Sequence, residues 1–362
     1  MGVRKNLLAT TMAAMAAMVA TVGLVACGSD STGSTESATT VPSASEAESP
    51  KSFDLQAHRG GRGEYTEESL HAFDQALSLG VSTLELDIVL TKDNQPLIWH
   101  DPKIDETKCA DTAAATPGDP QFPYVGDLVH DLTLAQIRTL NCDKVLAGYP
   151  EAQPVAGNKI AVLPELFTLV ETRGADAVRF NIETKIEAEK RADSATPEEF
   201  VDVTLAAVKE AGMVGRVSIQ SFDWRTLPLV HDAEPSIPLV ALWDETTWKK
   251  DSQWLGPVDF DAVGGDVIKG ASSIDGVTVL SPGYVNPYPD GQVPPAGYTL
   301  VADEDFVSRA HESGLAVIPW TINDPAVMDA QIEAGADGII TDYPTRLREV
   351  MATRGMTLPA PA

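Results

Sequence analysis

The stretch FDLQAHRGGRGEYTEESLHAF, residues 53–73, runs from a short apolar segment into His58, Arg59 and paired glycines, then into acidic residues and helix-spaced apolar positions. That order reads as a strand, a permissive loop and a helix. A loop that only turned the chain would need neither the imidazole nor the guanidinium.

The same alternation continues along the chain. Segments 53–57, 83–89, 178–183, 217–220, 239–242, 277–280, 316–320 and 338–341 read as strands. Helix patterns fall between most of them, at 67–79, 164–172, 197–211, 224–233, 303–312 and 325–334. Several end on glycine, which suits the left-handed residue that follows a helix C-terminus. Strands alternating with helices over this length predict an α/β fold, one (β/α)8 TIM barrel spanning 53–352 with a C-terminal tail at 353–362. The region 255–290 is loop-rich, so the strand at 277–280 carries the weakest pattern.

Two departures from a plain barrel stand out. In LTKDNQPLIWHD, residues 90–101, Asp93-Asn94 suits a two-residue hairpin turn. A turn centred there sets Asp87 opposite His100. Residues 101–160 then form an insertion rich in Pro, Gly and Asp that contains Cys109 and Cys142. Long insertions near a reactive face often serve as lids or specificity elements.

The N-terminus, MGVRKNLLATTMAAMAAMVATVGLVAC, has a basic start, an Ala-rich apolar run and small residues before Cys27. This is a signal-peptide pattern, and its end resembles a bacterial lipobox. The expectation is removal of residues 1–26, lipidation of Cys27 and an extracytoplasmic protein anchored to the cell membrane. Residues 27–52 are Ser/Thr/Glu-rich and cannot bury a core, so they read as a disordered tether. Two further cysteines in an exported chain favour a Cys109–Cys142 disulfide.

The net charge is −27, and loss of Arg4 and Lys5 with the leader takes it to −29. Such a surface repels nucleic acid and anionic lipid headgroups. An anionic substrate would need a local cation, either a metal or a few placed Arg and Lys.

The strand ends supply that setting. His58 and Arg59 follow the first strand. Glu85 and Asp87 are spaced by two, so they share a face of the second. In NIETK, residues 181–185, Asn181, Glu183 and Lys185 share a face of the third. The C-terminal strand ends of a barrel form its reactive mouth. Carboxylates confined there repel one another unless a cation sits among them. Oxygen ligands without cysteine favour one divalent Mg²⁺ or Ca²⁺. Together with Arg59 and Lys185 such an ion cradles a phosphate, and two histidines supply a base and an acid. Each feature alone has an ordinary structural explanation. Their joint arrival on consecutive strand ends points to phosphodiester cleavage.

In this order, His58-Arg59-Gly60, Glu68-Ser69, Glu85-Leu86-Asp87, Thr91-Lys92-Asp93, His100-Asp101 and Glu183-Thr184-Lys185 resemble the glycerophosphodiester phosphodiesterase family, exported lipoprotein type. So do IQSFD (219–223), IPWTIN (318–323) and GIITDYP (338–344). The resemblance implies metal-dependent hydrolysis of a small glycerophosphodiester to glycerol 3-phosphate and an alcohol. It implies Glu85, Asp87 and Glu183 as metal ligands and His58 and His100 as the acid–base pair. Arg59 and Lys185 would contact phosphate, Trp320 would wall the glycerol, and Gln220 and Asn323 would offer hydrogen bonds. Ser69 departs from the family's usual Asn after Glu68.

Three other readings fit parts of the sequence. One is a phospholipase-type phosphodiesterase on the same barrel, for which QFPYVGDLV (121–129) would admit an acyl chain. Another is a glycosidase using paired carboxylates, which has no use for two histidines. The third is an anchored binding protein that has kept the barrel without catalysis.

Overall fold

The computed structural model describes residues 52–283 and 300–362. The leader, Cys27 and nearly all of the tether lie outside the described residues.

The strands are β1 (Asp54–Ala57), β2 (Thr83–Leu90), β3 (Pro96–Ile98), β4 (Arg179–Thr184), β5 (Val217–Ser221), β6 (Leu239–Trp243), β7 (Val277–Pro282), β8 (Ala316–Val317) and β9 (Gly338–Thr341). Hydrogen-bonded neighbours run β8-β7-β6-β5-β4-β2-β1-β9, with β3 paired to β2 alone. Every pairing on that path is parallel. The two ends meet through Asp337 N–H to Val317 O (2.9 Å), Ile340 N–H to Pro319 O (3.0 Å) and Ile322 N–H to Ile340 O (3.0 Å). The sheet is thus a nearly closed TIM barrel. Strand β8 is shorter than the sequence pattern because Pro319 has no N–H to continue the ladder.

The helices are α1 (Leu70–Leu79), α2 (Leu134–Ile137), α3 (Leu163–Thr172), α4 (Pro197–Glu210), α5 (Thr226–Ala233), α6 (Val267–Ser272), α7 (Glu304–Glu312), α8 (Pro325–Glu333) and α9 (Pro344–Thr353). α2, α6 and α9 lie outside the helix patterns read from the sequence. Helix α1 begins at Leu70 rather than 67. Ser69 caps it by accepting from Ala72 N–H, and Glu68 before it has φ 54, which no helix tolerates. That late start leaves Glu67 and Glu68 in the loop, free to point inward.

The hairpin register differs from expectation. Ile88 pairs with Ile98, Val89 with Leu97 and Leu90 with Pro96. The loop holds three residues, not two, and closes with Asn94 at φ 54, the left-handed residue that three-residue hairpins require. The odd loop shifts the pairing by one, and Trp99, not His100, faces Asp87 through Trp99 N–H to Asp87 O at 3.1 Å.

Two cores result. The main one fills the space between the sheet and its helices. The second belongs to the insertion, where Val89, Leu97 and Trp99 from the hairpin meet Tyr124, Val129, Leu132 and Ile137. The Cys109–Cys142 disulfide is present and both cysteines lie in this second core.

Candidate active site

The β1–α1 loop builds the first wall. His58 to Gly60 form a single 3-10 turn, and Arg59 takes φ 51, an uncommon conformation for a side-chain-bearing residue. This aims the Arg59 backbone N–H at Glu85 Oε2, 3.0 Å away. Gly60 and Gly61 follow at φ 80 and φ 96. A side chain on Gly60 would meet Ala72 and Phe73 of α1 at 3.0–3.1 Å. The glycines therefore serve the turn and its packing.

Parallel register assembles the carboxylates. Glu85 lies beside Asn181, and Asp87 beside Glu183. Ligand oxygens of Glu85, Asp87 and Glu183 all lie within 4.8 Å of one another, and all three residues are buried. Asp87 Oδ1 has no hydrogen-bond partner, although Arg59 Nε ion-pairs with Oδ2 at 2.9 Å. Burial pushes the Glu183 carboxyl up to about 7; Lys185 pulls it down, and Asp87 adds to the rise. Burial, then Asp87 and Glu183, likewise push Glu85 well above the usual range. Burial would also raise Asp87, but Arg59 draws it below the usual range. Crowded, dry carboxyls with an unsatisfied oxygen fit a hard divalent cation, which offsets their mutual repulsion.

Each histidine rests on a carboxylate. His58 Nδ1 bonds Asp342 Oδ1 at 2.5 Å, and its Nε2 lies 3.9 Å from Glu85 Oε2. Burial lowers the His58 pKa, and Asp342 draws it part of the way back. His100 Nδ1 bonds Asp101 Oδ1 at 2.8 Å. Burial, Arg59 and Lys185 hold His100 well below its ordinary value. Despite the shifted register, His100 lines the cleft, two residues beyond the end of β3 at Ile98.

His58, Arg59, Glu85, His100, Glu183 and Lys185 share one cleft of about 410 Å³, the size of a small-molecule site. Lys185 Nζ reaches Glu183 Oε1 at 2.7 Å. Trp320 meets Phe222 edge-on, their centroids 5.3 Å apart, and both line the cleft.

Gln220 and Asn323 line the cleft too, but their amides are engaged by the protein. Gln220 Nε2 donates to Glu85 Oε1 at 2.6 Å, and Gln220 Oε1 accepts from Asn181 at 2.8 Å. Asn323 Nδ2 donates to Asp342 Oδ2 at 2.7 Å, while its Oδ1 accepts from Asp342 N–H at 3.0 Å. Both act as supports for carboxylates. Asp342, Arg62, Tyr149 and Phe222 also line the cleft without having been named as site residues, although Asp342 and Phe222 fall within GIITDYP and IQSFD. The position of Asp342 just after β9 was the available signal. Tyr149 gave none, since it lies in the insertion. Glu68 is buried and holds β2 by accepting from Asp87 N–H at 3.1 Å.

Residues 58–346 match the model of the glycerophosphoryl diester phosphodiesterase family. A glycerophosphodiester phosphodiesterase of Caldanaerobacter subterraneus subsp. tengcongensis is 27% identical over 299 residues, covering 83% of this chain and 98% of the relative. A crystal structure of a Silicibacter pomeroyi protein named for the same activity aligns with TM-score 0.69 and 26% identity, over 85% of this chain and 96% of that one. An Oleispira antarctica phosphodiesterase, solved with its product sn-glycerol-3-phosphate, shares the fold at TM-score 0.55 and 19% identity, over 83% and 96% of the two chains.

Proposed function

The chain belongs to the glycerophosphoryl diester phosphodiesterase family and is an enzyme of that activity, and we propose that it hydrolyses a glycerophosphodiester to glycerol 3-phosphate and an alcohol through paired histidines. The observation that carries this reading is the meeting of both imidazoles, Arg59, Lys185, Glu85 and Glu183 in one cleft, with Asp87 completing the buried carboxylate cluster.

Glu85, Asp87 and Glu183 would hold one divalent ion, Ca²⁺ or Mg²⁺, which when bound stabilises charge on the phosphoryl oxygens. Arg59 and Lys185 attract the diester and fix its orientation. Asp342 fixes His58 through Nδ1, which leaves Nε2 to act as base. Burial keeps that imidazole neutral near pH 7, as a base requires. His58 takes the proton from the attacking hydroxyl, which is water or the substrate's own glycerol hydroxyl. In the second case a cyclic phosphate forms first and water then opens it. His100 delivers a proton to the departing alkoxide. The incoming phosphodiester adds the negative charge that favours its protonated form. Trp320 and Phe222 offer an apolar wall to the glycerol.

The N-terminal pattern supports a further proposal, that the mature enzyme is a lipoprotein held outside the cytoplasm through Cys27. Labelled fatty acid should be incorporated into the wild type and not into Cys27→Ser.

The activity is tested with glycerophosphocholine and with a p-nitrophenyl diester. His58→Ala should lose about 10²–10⁴-fold in kcat on both. His100→Ala should lose as much on glycerophosphocholine but little on the p-nitrophenyl ester, whose leaving group needs no proton. The opposite pattern would exchange the two roles, and normal turnover in both variants would reject the histidine mechanism.

A further inference from the structure

We propose that the insertion is a positioning device, reaching each of the two histidines through a carboxylate. This rests on the acid–base roles given to His58 and His100 above.

The first arm is Tyr149. Its hydroxyl donates to Asp342 Oδ2 at 2.8 Å, and Asp342 Oδ1 holds His58 Nδ1. The tyrosine is set by the docking of its own segment on the β1–α1 loop. Thr66 N–H bonds Gln153 O (3.1 Å), Gln153 N–H bonds Glu64 O (2.9 Å) and Val155 N–H bonds Thr66 Oγ1 (2.8 Å). Arg62 lies over its ring at 4.5 Å. A carboxylate that accepts from Tyr149 and Asn323 on one oxygen has its other oxygen directed at the imidazole.

The second arm is Lys108. Its Nζ bridges Asp101 Oδ2 and Glu67 Oε1, each at 2.5 Å, and Asp101 Oδ1 holds His100 Nδ1. Glu67 in turn pairs with Arg62 at 2.8 Å and Arg59 at 3.4 Å. Lys108 adjoins Cys109, so the disulfide to Cys142 fixes its backbone. Without Lys108, Asp101 is free to rotate away from the imidazole.

Both arms come from one inserted segment, yet they converge on different histidines. That makes them separable by experiment. The variants are Tyr149→Phe, which keeps the ring, and Lys108→Met, with Lys108→Arg as its conservative partner. His58→Ala and His100→Ala are measured beside them. If the proposal holds, both alanine variants lose turnover, and Tyr149→Phe and Lys108→Met each lower kcat about tenfold, the worth of one hydrogen bond to a charged group. KM stays near wild type in the latter two. Tyr149→Phe also keeps its melting temperature, Lys108→Met lowers it because Glu67 and Asp101 lose the ammonium between them, and Lys108→Arg regains part of both losses. In ¹⁵N-histidine NMR, Tyr149→Phe moves the His58 ring resonances and not those of His100, and Lys108→Met does the reverse.

Inactive alanine variants together with normal kcat in Tyr149→Phe and Lys108→Met would overturn the proposal alone. So would losses that appear in KM with kcat unchanged, or resonance shifts without that selectivity. Active alanine variants would overturn the acid–base reading and the proposal with it.

Discussion

Asp87 on β2 and Glu183 on β4 stand directly beside each other in parallel register, and their carboxyl oxygens belong to one buried cluster with Glu85. Neighbouring anions in a dry site destabilise each other unless a cation lies between them. The site's chemistry follows from this pairing.

Removal of divalent ions should therefore abolish turnover, and Ca²⁺ or Mg²⁺ added back should restore it. Asp87→Asn, which keeps the shape but loses the charge, should cost about 10²–10³-fold in kcat, comparable to losing one charge-stabilising group. Steady-state assays in chelator, with each metal returned separately, provide the check. Full activity in chelator would remove the metal from the mechanism.

Metal binding should also depend on pH in a defined direction. In the metal-free fold the Glu183 carboxyl is raised from 4.5 to about 7, chiefly by burial. Between those values the fold binds more protons than the unfolded chain. This group's contribution to stability is therefore full below 4.5 and is lost as pH rises through about 7. A divalent ion must displace that proton, so its stabilising effect grows as pH rises through about 7. The difference in melting temperature with and without metal, measured from pH 5 to 8, should widen accordingly. A constant difference would contradict it.

Trp320 should matter for binding more than for chemistry. Trp320→Ala removes an apolar wall whose contacts are similar in ground and transition states. A rise in KM of about fivefold to thirtyfold, for a loss of 1–2 kcal/mol, is expected with kcat nearly unchanged. Gly283→Ala should act in the same direction, because a Cβ there would come within 2.2 Å of the Trp320 ring. Unchanged KM in both variants would remove the indole from the binding site.

The disulfide closes a loop with a sequence separation of 33. Replacing Cys109 and Cys142 with serine should cost about 3–4 kcal/mol on the chain-entropy model. Denaturant unfolding reads that loss, and limited proteolysis should cut first within 101–160. Equal stability of the serine variant and the wild type would show that the second core holds without the bond.

The sequence alone determined the barrel and the identity of its reactive face. Period-two spacing put Glu85 with Asp87 and Asn181 with Glu183, and alternation with helices put both strands in one parallel sheet. These are local signals, and the folded chain obeys them in the register of β2 and β4. The hairpin was legible as a hairpin, but its loop length was not, because Asn94 at φ 54 adds a residue that no pattern announces. Only the tertiary structure decided what stands behind the histidines. Asp342 reaches His58 across 284 positions of sequence and Tyr149 reaches Asp342 across 193. Contacts of that span arise from barrel closure and from the docking of the insertion, so no local spacing encodes them.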